Sequence, residues 1–320
     1  MNKKMLFVLV LMMITTAGMW AQTATPPAAG DGTIGNPYQI ASLDNLAWLS
    51  QNSVEWDKHY IQTADIDASD TQNWDSGAGF SPIGSSSDYF TGSYDGQGYV
   101  IDGLFINRPS TDFQGLIGYT NGAEISNLGV TNTNVTGYGS TGGLVGFAID
   151  SSTITNSYST GGVTGVGTYT GGLVGYKRSS TIINSYSTGS VIGGSIHTGG
   201  LVGYHNLNST ITNSYSNGSV TGLGNNTGGL VGFNNSTITN SFWDTQTSGQ
   251  STSAGGTGKT TVEMQTMSTF TNAGWDFMGE TANGTDDYWK IDGVYNSAYP
   301  YLSWQEYPIP TPPAAGDGTS

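Results

Sequence analysis

Apolar residues in the centre of the chain recur in pairs on a fixed beat, with small or polar residues between them. Leu144–Val145, Leu173–Val174, Leu201–Val202 and Leu230–Val231 each sit inside an unchanged TGGLVG, at residues 141–146, 170–175, 198–203 and 227–232. Successive copies start 29, 28 and 29 residues apart, and a degenerate FQGLIG at 113–118 lies 28 residues before the first. A second element keeps step, reading STITNSY at 152–158, STIINSY at 180–186, STITNSY at 209–215 and STITNSF at 236–242. A third follows the first three of these as GGVTG from Gly161, GSVIG from Gly189 and GSVTG from Gly218. Self-similarity at this period signals stacked units that bury their apolar faces against one another. Leu144, Ile154, Tyr158 and Val163 are expected to point inward from three short strands per turn, with glycines at corners that need left-handed backbone angles. Five coils at about 4.8 Å per rung give a rod on the order of 25 Å long, before the flanks are added.

The flanks depart from this beat. Residues 1–21 read as a secretory signal, with Lys3 and Lys4 at the positive end, an apolar run at 5–14 and small residues at 17–21, so cleavage is expected after Ala21. The apolar run is too short to span a membrane, and no later stretch is long or apolar enough. A Pro/Gly linker occupies 22–34, and its TPPAAGDGT at 25–33 recurs unchanged at 311–319. Segment 307–320 is therefore expected to be a linker opening a second module. Between these, 35–112 should form an N-terminal cap and first irregular coils, 113–243 the repeats, and 244–306 a C-terminal cap closing the last coil. Ser42 followed by Leu43, Leu46, Ala47 and Leu49 predicts a short helix over 42–50. Alternation over 60–66 and 99–106 predicts strands, and 261–270 a further helix. The aromatics of the C-terminal flank, Trp275, Trp289 and Trp304 among them, are expected to be buried against the last coil rather than to form a sugar platform.

Composition changes the picture in three ways. Forty-nine glycines and only 10% charged residues would suggest disorder without the apolar period. The absence of cysteine rules out disulfides and thiolate metal sites, leaving packing to hold the fold. The net charge of −15 disfavours nucleic acid and anionic lipid as partners. Thirteen of the 23 acids precede Gly137 and nine follow Phe242, so Asp150 is the single carboxylate of the repeat core.

These residues resemble the GLUG-motif family of bacterial secreted and surface proteins, often labelled adhesin-like. The resemblance covers the four repeats, the entry NPYQIASLDNLAWLS, the segment FTGSYDGQGYVIDGLFI and the exit from FWDTQTSGQ to GWDF. It implies an all-β, right-handed parallel β-helix of about 28-residue coils with short helices in the capping segments. It also implies a role in surface attachment or matrix contact, and assigns no catalytic residue.

Candidate chemistry is sparse. SAGGTGKTT at 253–261 approaches a phosphate-binding loop, but the pattern needs glycine where Ser253 stands, and no apolar strand precedes it. A Gly-rich turn into a helix is the simpler reading. Polysaccharide lyases and glycosidases need paired acids or a cation site. The repeat core offers only Asp150 with Lys177 and Arg178. Asp65, Asp67 and Asp70 have the close spacing of oxygen ligands and are the candidate calcium site, with Asp286, Asp287 and Asp292 a second cluster; neither fits an EF-hand. No other cofactor is expected. His197 and His205 flank one TGGLVG and, lacking a third ligand, read as surface residues. The Thr-Ile-Thr triplets would stack into outward threonine columns, broken at Ile183.

Three functions follow. The first is a non-catalytic, secreted or cell-surface module, stalk or adhesin, contacting a glycan or protein of a host or matrix surface, with no catalytic residue. The second is a polysaccharide-active β-helix enzyme with its site in the flanks. The third is an ice-binding solenoid using the threonine columns.

Overall fold

The computed structural model describes residues 22–305. The expected signal segment 1–21 and the expected second module at 307–320 lie outside the described residues. The chain forms an all-β parallel solenoid of about five turns and about 29 residues per coil, with few short helices.

The apolar member of each Thr-Ile-Thr triplet builds one wall of the lumen. Ile154 lies in register with Ile182, Ile211 and Ile238, and the column continues back through Ile125, Tyr94, Tyr60 and Tyr38. Strand alternation explains this, since burying one residue turns both neighbours outward. The N-terminal flank is thereby part of the same sheet, its strands Tyr38–Ile40, His59–Gln62 and Ser93–Asp95 forming the first rungs. The strands expected over 60–66 and 99–106 are each broken in two, as His59–Gln62 with Ile66–Asp67 and Val100–Asp102 with Phe105–Asn107. Gly103, at φ 74°, turns the chain between the second pair. The expected helix forms at Leu43–Gln51, where the Ser42 side chain accepts the Asn45 N–H. It adds Leu46, Ala47 and Leu49 to the lumenal core at the N-terminal end.

The glycines act differently from expectation. Of those in the four TGGLVG copies, none has a positive φ. They are needed because the next coil passes too close for a side chain. A Cβ on Gly172 would lie 2.3 Å from the Gly200 carbonyl oxygen, and one on Gly200 2.2 Å from that of Gly229. The left-handed corners fall instead to Asn156, Asn184, Asn213 and Asn240, at φ between 46° and 49°, and to the residue before each TGGLVG, at Ser140, Tyr169, His197 and Asn226. Asparagine tolerates that region best among residues with a side chain. The following serines lock coil to coil. Ser157 N–H donates to Ser185 Oγ, Ser185 N–H to Ser214 Oγ and Ser214 N–H to Ser241 Oγ, each at 3.2 Å.

Tyr158 points out of the lumen, contrary to expectation, while Leu144 and Ile154 point into it. Tyr158, Tyr186 and Tyr215 stack on the outer surface with ring centroids 4.9 and 5.0 Å apart. The C-terminal segment packs over them. Strands Phe242–Asp244 and Thr257–Lys259 add rungs to the sheet that carries Tyr158, Tyr186 and Tyr215, and two short helices, Thr261–Met264 and Met267–Thr271, replace the single one expected. From there Phe270, Trp275, Phe277, Trp289 and Leu302 form a second core with the tyrosines. Trp304 donates its indole N–H to the Asn156 carbonyl at 3.2 Å, so the segment runs back along the flank of the repeats. It is a strap along the side as much as a cap on the end. Tyrosine supplies the reason: its ring covers the strap's apolar face while its hydroxyl finds a partner, as in Tyr215 to the Pro300 carbonyl at 2.6 Å.

Candidate functional site

Three outer surfaces could meet a ligand. The first is the threonine face, where Thr153, Thr181, Thr210 and Thr237 form one column and Thr155, Ile183, Thr212 and Thr239 the other. Toward the N-terminus the same columns hold Glu124 with Ser126, then Ser93 with Asp95. The flat hydroxyl array thus ends after four rungs, with Ile183 inside it.

The second is an aromatic column that sequence reading missed. The residue after each repeat motif is Tyr119, Phe147, Tyr176, Tyr204 and Phe233, all in register. Their centroids lie 4.7, 4.3, 4.9 and 4.6 Å apart. The signal was present, since an aromatic follows every copy of the motif. Stacking occupies the ring faces with one another, so the column presents mainly edges to solvent.

The third is a cleft of about 790 Å³ between the early coils and the returning strap. Thr131, Asn132, Tyr158 and Thr160 form its floor, Asp65, Gln97 and Tyr99 one wall, and Tyr295, Trp304 and Gln305 the other. The strap's aromatics therefore divide: Trp275 and Trp289 are fully buried, whereas Trp304 is half-buried and lines the cleft. Its ring packs on Tyr158 at 5.7 Å. Asn132 sits in the left-handed region, its side-chain amide donating to Asp102 Oδ1 at 2.7 Å.

The candidate calcium ligands Asp65, Asp67 and Asp70 are not brought together. Asp65 accepts the Val100 N–H at 2.9 Å, and Asp67 accepts the Ser69 N–H at 2.9 Å. The Ser69 hydroxyl and N–H hold the Asp67 carboxyl below its usual range. In the second cluster, Asp292 accepts the Val294 and Tyr295 N–H groups and Asp286 the Tyr288 hydroxyl. Among the described residues no three His, Asp or Glu side chains converge as metal ligands.

His205 corrects its reading as a surface residue, and Lys177 shares its position. They occupy successive rungs of one lumenal column with Ala148 and Asn234, and both are fully buried. Lys177 Nζ donates to the Ser180 carbonyl at 3.0 Å and the Thr210 carbonyl at 2.6 Å. Burial pushes its amine well below the ordinary lysine value. Burial, with Lys177 beside it, pushes the His205 imidazole down to about 3. Ala148 at the equivalent position was the clue that this register faces inward. Arg178 faces out and pairs with Asp150 at 3.5 Å, while His197 stacks on Tyr169 at 5.5 Å. The phosphate-loop candidate resolves into strand Thr257–Lys259 and a capping box in which Thr260 and Glu263 satisfy each other.

Among the described residues no helix is long and apolar enough to cross a membrane. Comparison with known proteins agrees with this architecture. Halomucin of Haloquadratum walsbyi is 36% identical over 126 residues, covering 37% of this chain and 1% of its own length. A candidate Gly-rich membrane protein of Evansella cellulosilytica is 38% identical over 115 residues, covering 34% of this chain and 12% of its own. The chain thus spans a small part of either relative. A crystal structure of a candidate immunoglobulin A1 protease from Bacteroides ovatus superposes with a TM-score of 0.62 at 19% identity, over 87% of this chain and 95% of that one, which shows a shared fold. The family profile described as the GLUG motif matches residues 194–221, the length of one coil, so the coil that carries the third TGGLVG matches that motif.

Proposed function

We propose that the chain is a non-catalytic, extracellular, surface-associated β-helix module, a stalk or adhesive element that contacts a glycan or protein of a host or matrix surface. The observation that carries this reading is that the Leu, Val, Gly, Asn and Ser common to the repeats each have a structural task. Leucine and valine fill the lumen, glycine admits the neighbouring backbone, asparagine turns the corner and serine bonds across rungs. Such a unit adds length without adding chemistry. The names of the relatives, a halomucin and a Gly-rich membrane protein, support an extracellular setting. The Bacteroides ovatus neighbour lends its fold and no activity, because one fold hosts many functions.

The test incubates the purified chain with a panel of polysaccharides and with immunoglobulin A1, following new reducing ends and protein fragments. No release is expected, while fluorescently labelled chain is retained on surfaces carrying its ligand. Turnover of any substrate would overturn the reading. Protease shaving of intact cells should remove the chain; protection would count against a surface position.

A further inference from the structure

The cleft beside the strap has a chemistry that selects among ligands. No Lys or Arg lines it, and Asp65 is its one carboxylate. An anionic sugar, a phosphate or a nucleotide would meet no counter-charge there and one repulsive group. What remains is a set of aromatic surfaces alternating with amides and hydroxyls. Tyr99 is 37% exposed, and Trp304 is fixed by its bond to the Asn156 carbonyl and its packing on Tyr158. Asp102 orders the floor by accepting from Thr131 Oγ1 at 2.5 Å and from Asn132 Nδ2 at 2.7 Å. The volume of about 790 Å³ lies within the range of small-molecule sites. A ligand that matches must offer flat C–H faces for stacking, hydroxyls at its edges, and no charge.

We propose that this cleft binds a neutral oligosaccharide, with Tyr99 and Trp304 as stacking surfaces and Asn132 and Thr160 as hydrogen-bonding groups. Two of these side chains are held from outside the cleft, Asn132 by Asp102 and Trp304 by the Asn156 carbonyl, so the site is partly preorganised. This rests on the reading of the chain as a non-catalytic attachment module and gives that module a position and a ligand class.

The test presents the full chain to an array of neutral, uronate-bearing and sulfated oligosaccharides, and measures the strongest binders by titration calorimetry. Two variants accompany it, chosen to spare the fold: Tyr99→Ala on an exposed side chain, and Asn132→Gly at a left-handed position that glycine accepts. Binding to neutral glycans is expected, weakened about tenfold or more in each variant, with a cooperative melt retained in both. Preference for uronate or sulfated glycans, no neutral glycan bound, or affinity unchanged in both variants would each overturn the cleft assignment while leaving the attachment reading standing. Release of reducing ends by the wild-type chain would overturn the attachment reading, and this assignment with it.

Discussion

Replacing Lys177 by methionine removes a buried amine at nearly constant side-chain length, and its effect on stability should depend on pH in a defined direction. In the folded chain the amine lies in the lumen with two carbonyls for partners, and burial drives its affinity for a proton well down. In the unfolded chain it titrates near the ordinary value of 10.5. Below that value the unfolded state binds a proton that the folded state does not, so stability rises with pH toward 10.5. The slope is about 1.4 kcal/mol per pH unit while the difference of one proton persists. Between pH 8 and 9.5 the wild type should therefore gain roughly 2 kcal/mol relative to Lys177→Met, on the order of 4 °C in melting temperature for a chain of this size. Lost bonds to the Ser180 and Thr210 carbonyls cost the variant about 1 kcal/mol each, an offset that is constant across the window. The assay is thermal melting followed by circular dichroism at half-unit pH steps for both proteins. Parallel curves would refute the argument, because they would mean that Lys177 keeps its proton in the lumen.

Three further outcomes are expected. In acid melts His205 should contribute about 1.4 kcal/mol per unit to the loss of stability as pH falls from 6.5 toward about 3, where its unfolded imidazole is charged and the folded one is not; His205→Asn, copying Asn234 on the next rung, should make that limb shallower by this amount, and an unchanged limb counts against the assignment. Gly200→Ala sets a Cβ 2.2 Å from the Gly229 carbonyl oxygen and should cost about 3 kcal/mol or prevent folding, whereas Gly162→Ala, with nothing nearer than 3.7 Å, should be neutral or stabilise by up to ~1 kcal/mol in urea titrations. Tyr215→Phe removes a hydroxyl that donates to Pro300 at 2.6 Å and accepts from Asn296 at 2.7 Å, so it should lower stability by about 1–2 kcal/mol and speed proteolysis of the strap; an unchanged cleavage rate would show that the strap does not depend on this contact.

The lumen was legible because alternation and period constrain it twice: Ile154 could face only one way, and its copies had to stack in register. The N-terminal helix was legible from Ser42 and its apolar spacing. Conformational roles were less so. Glycine and asparagine both mark turns, and only the distance to the neighbouring coil separates them: Gly200 admits the next backbone, while Asn184 takes a corner expected of glycine. Tyr158 was misread because an outward aromatic looks the same as an inward one until the segment that covers it is placed. Tyr186 and Gln305 meet from 119 residues apart, and no local pattern announces such a pairing. The cleft is hidden for the same reason, its walls being drawn from three distant stretches. Lys177 and His205 were legible in principle from Ala148, but their charge outweighed their position.

The constancy of the ladders has a further consequence for how such a chain can change over generations. Thr141, Thr170, Thr198 and Thr227 occupy equivalent points in the helix. Excision of the sequence between any two neighbours rejoins the strands with every rung still matched. The two extra residues between Asn206 and Thr210, relative to Asn235–Thr237 on the next rung, are absorbed by a local bulge, so even unequal exchange is tolerated. Recombination within the gene can therefore lengthen or shorten the rod by whole rungs of about 4.8 Å without redesigning its cross-section. The strap, which reaches back to Asn156, sets the limit, since each rung gained or lost beneath it shifts the tyrosines it must cover.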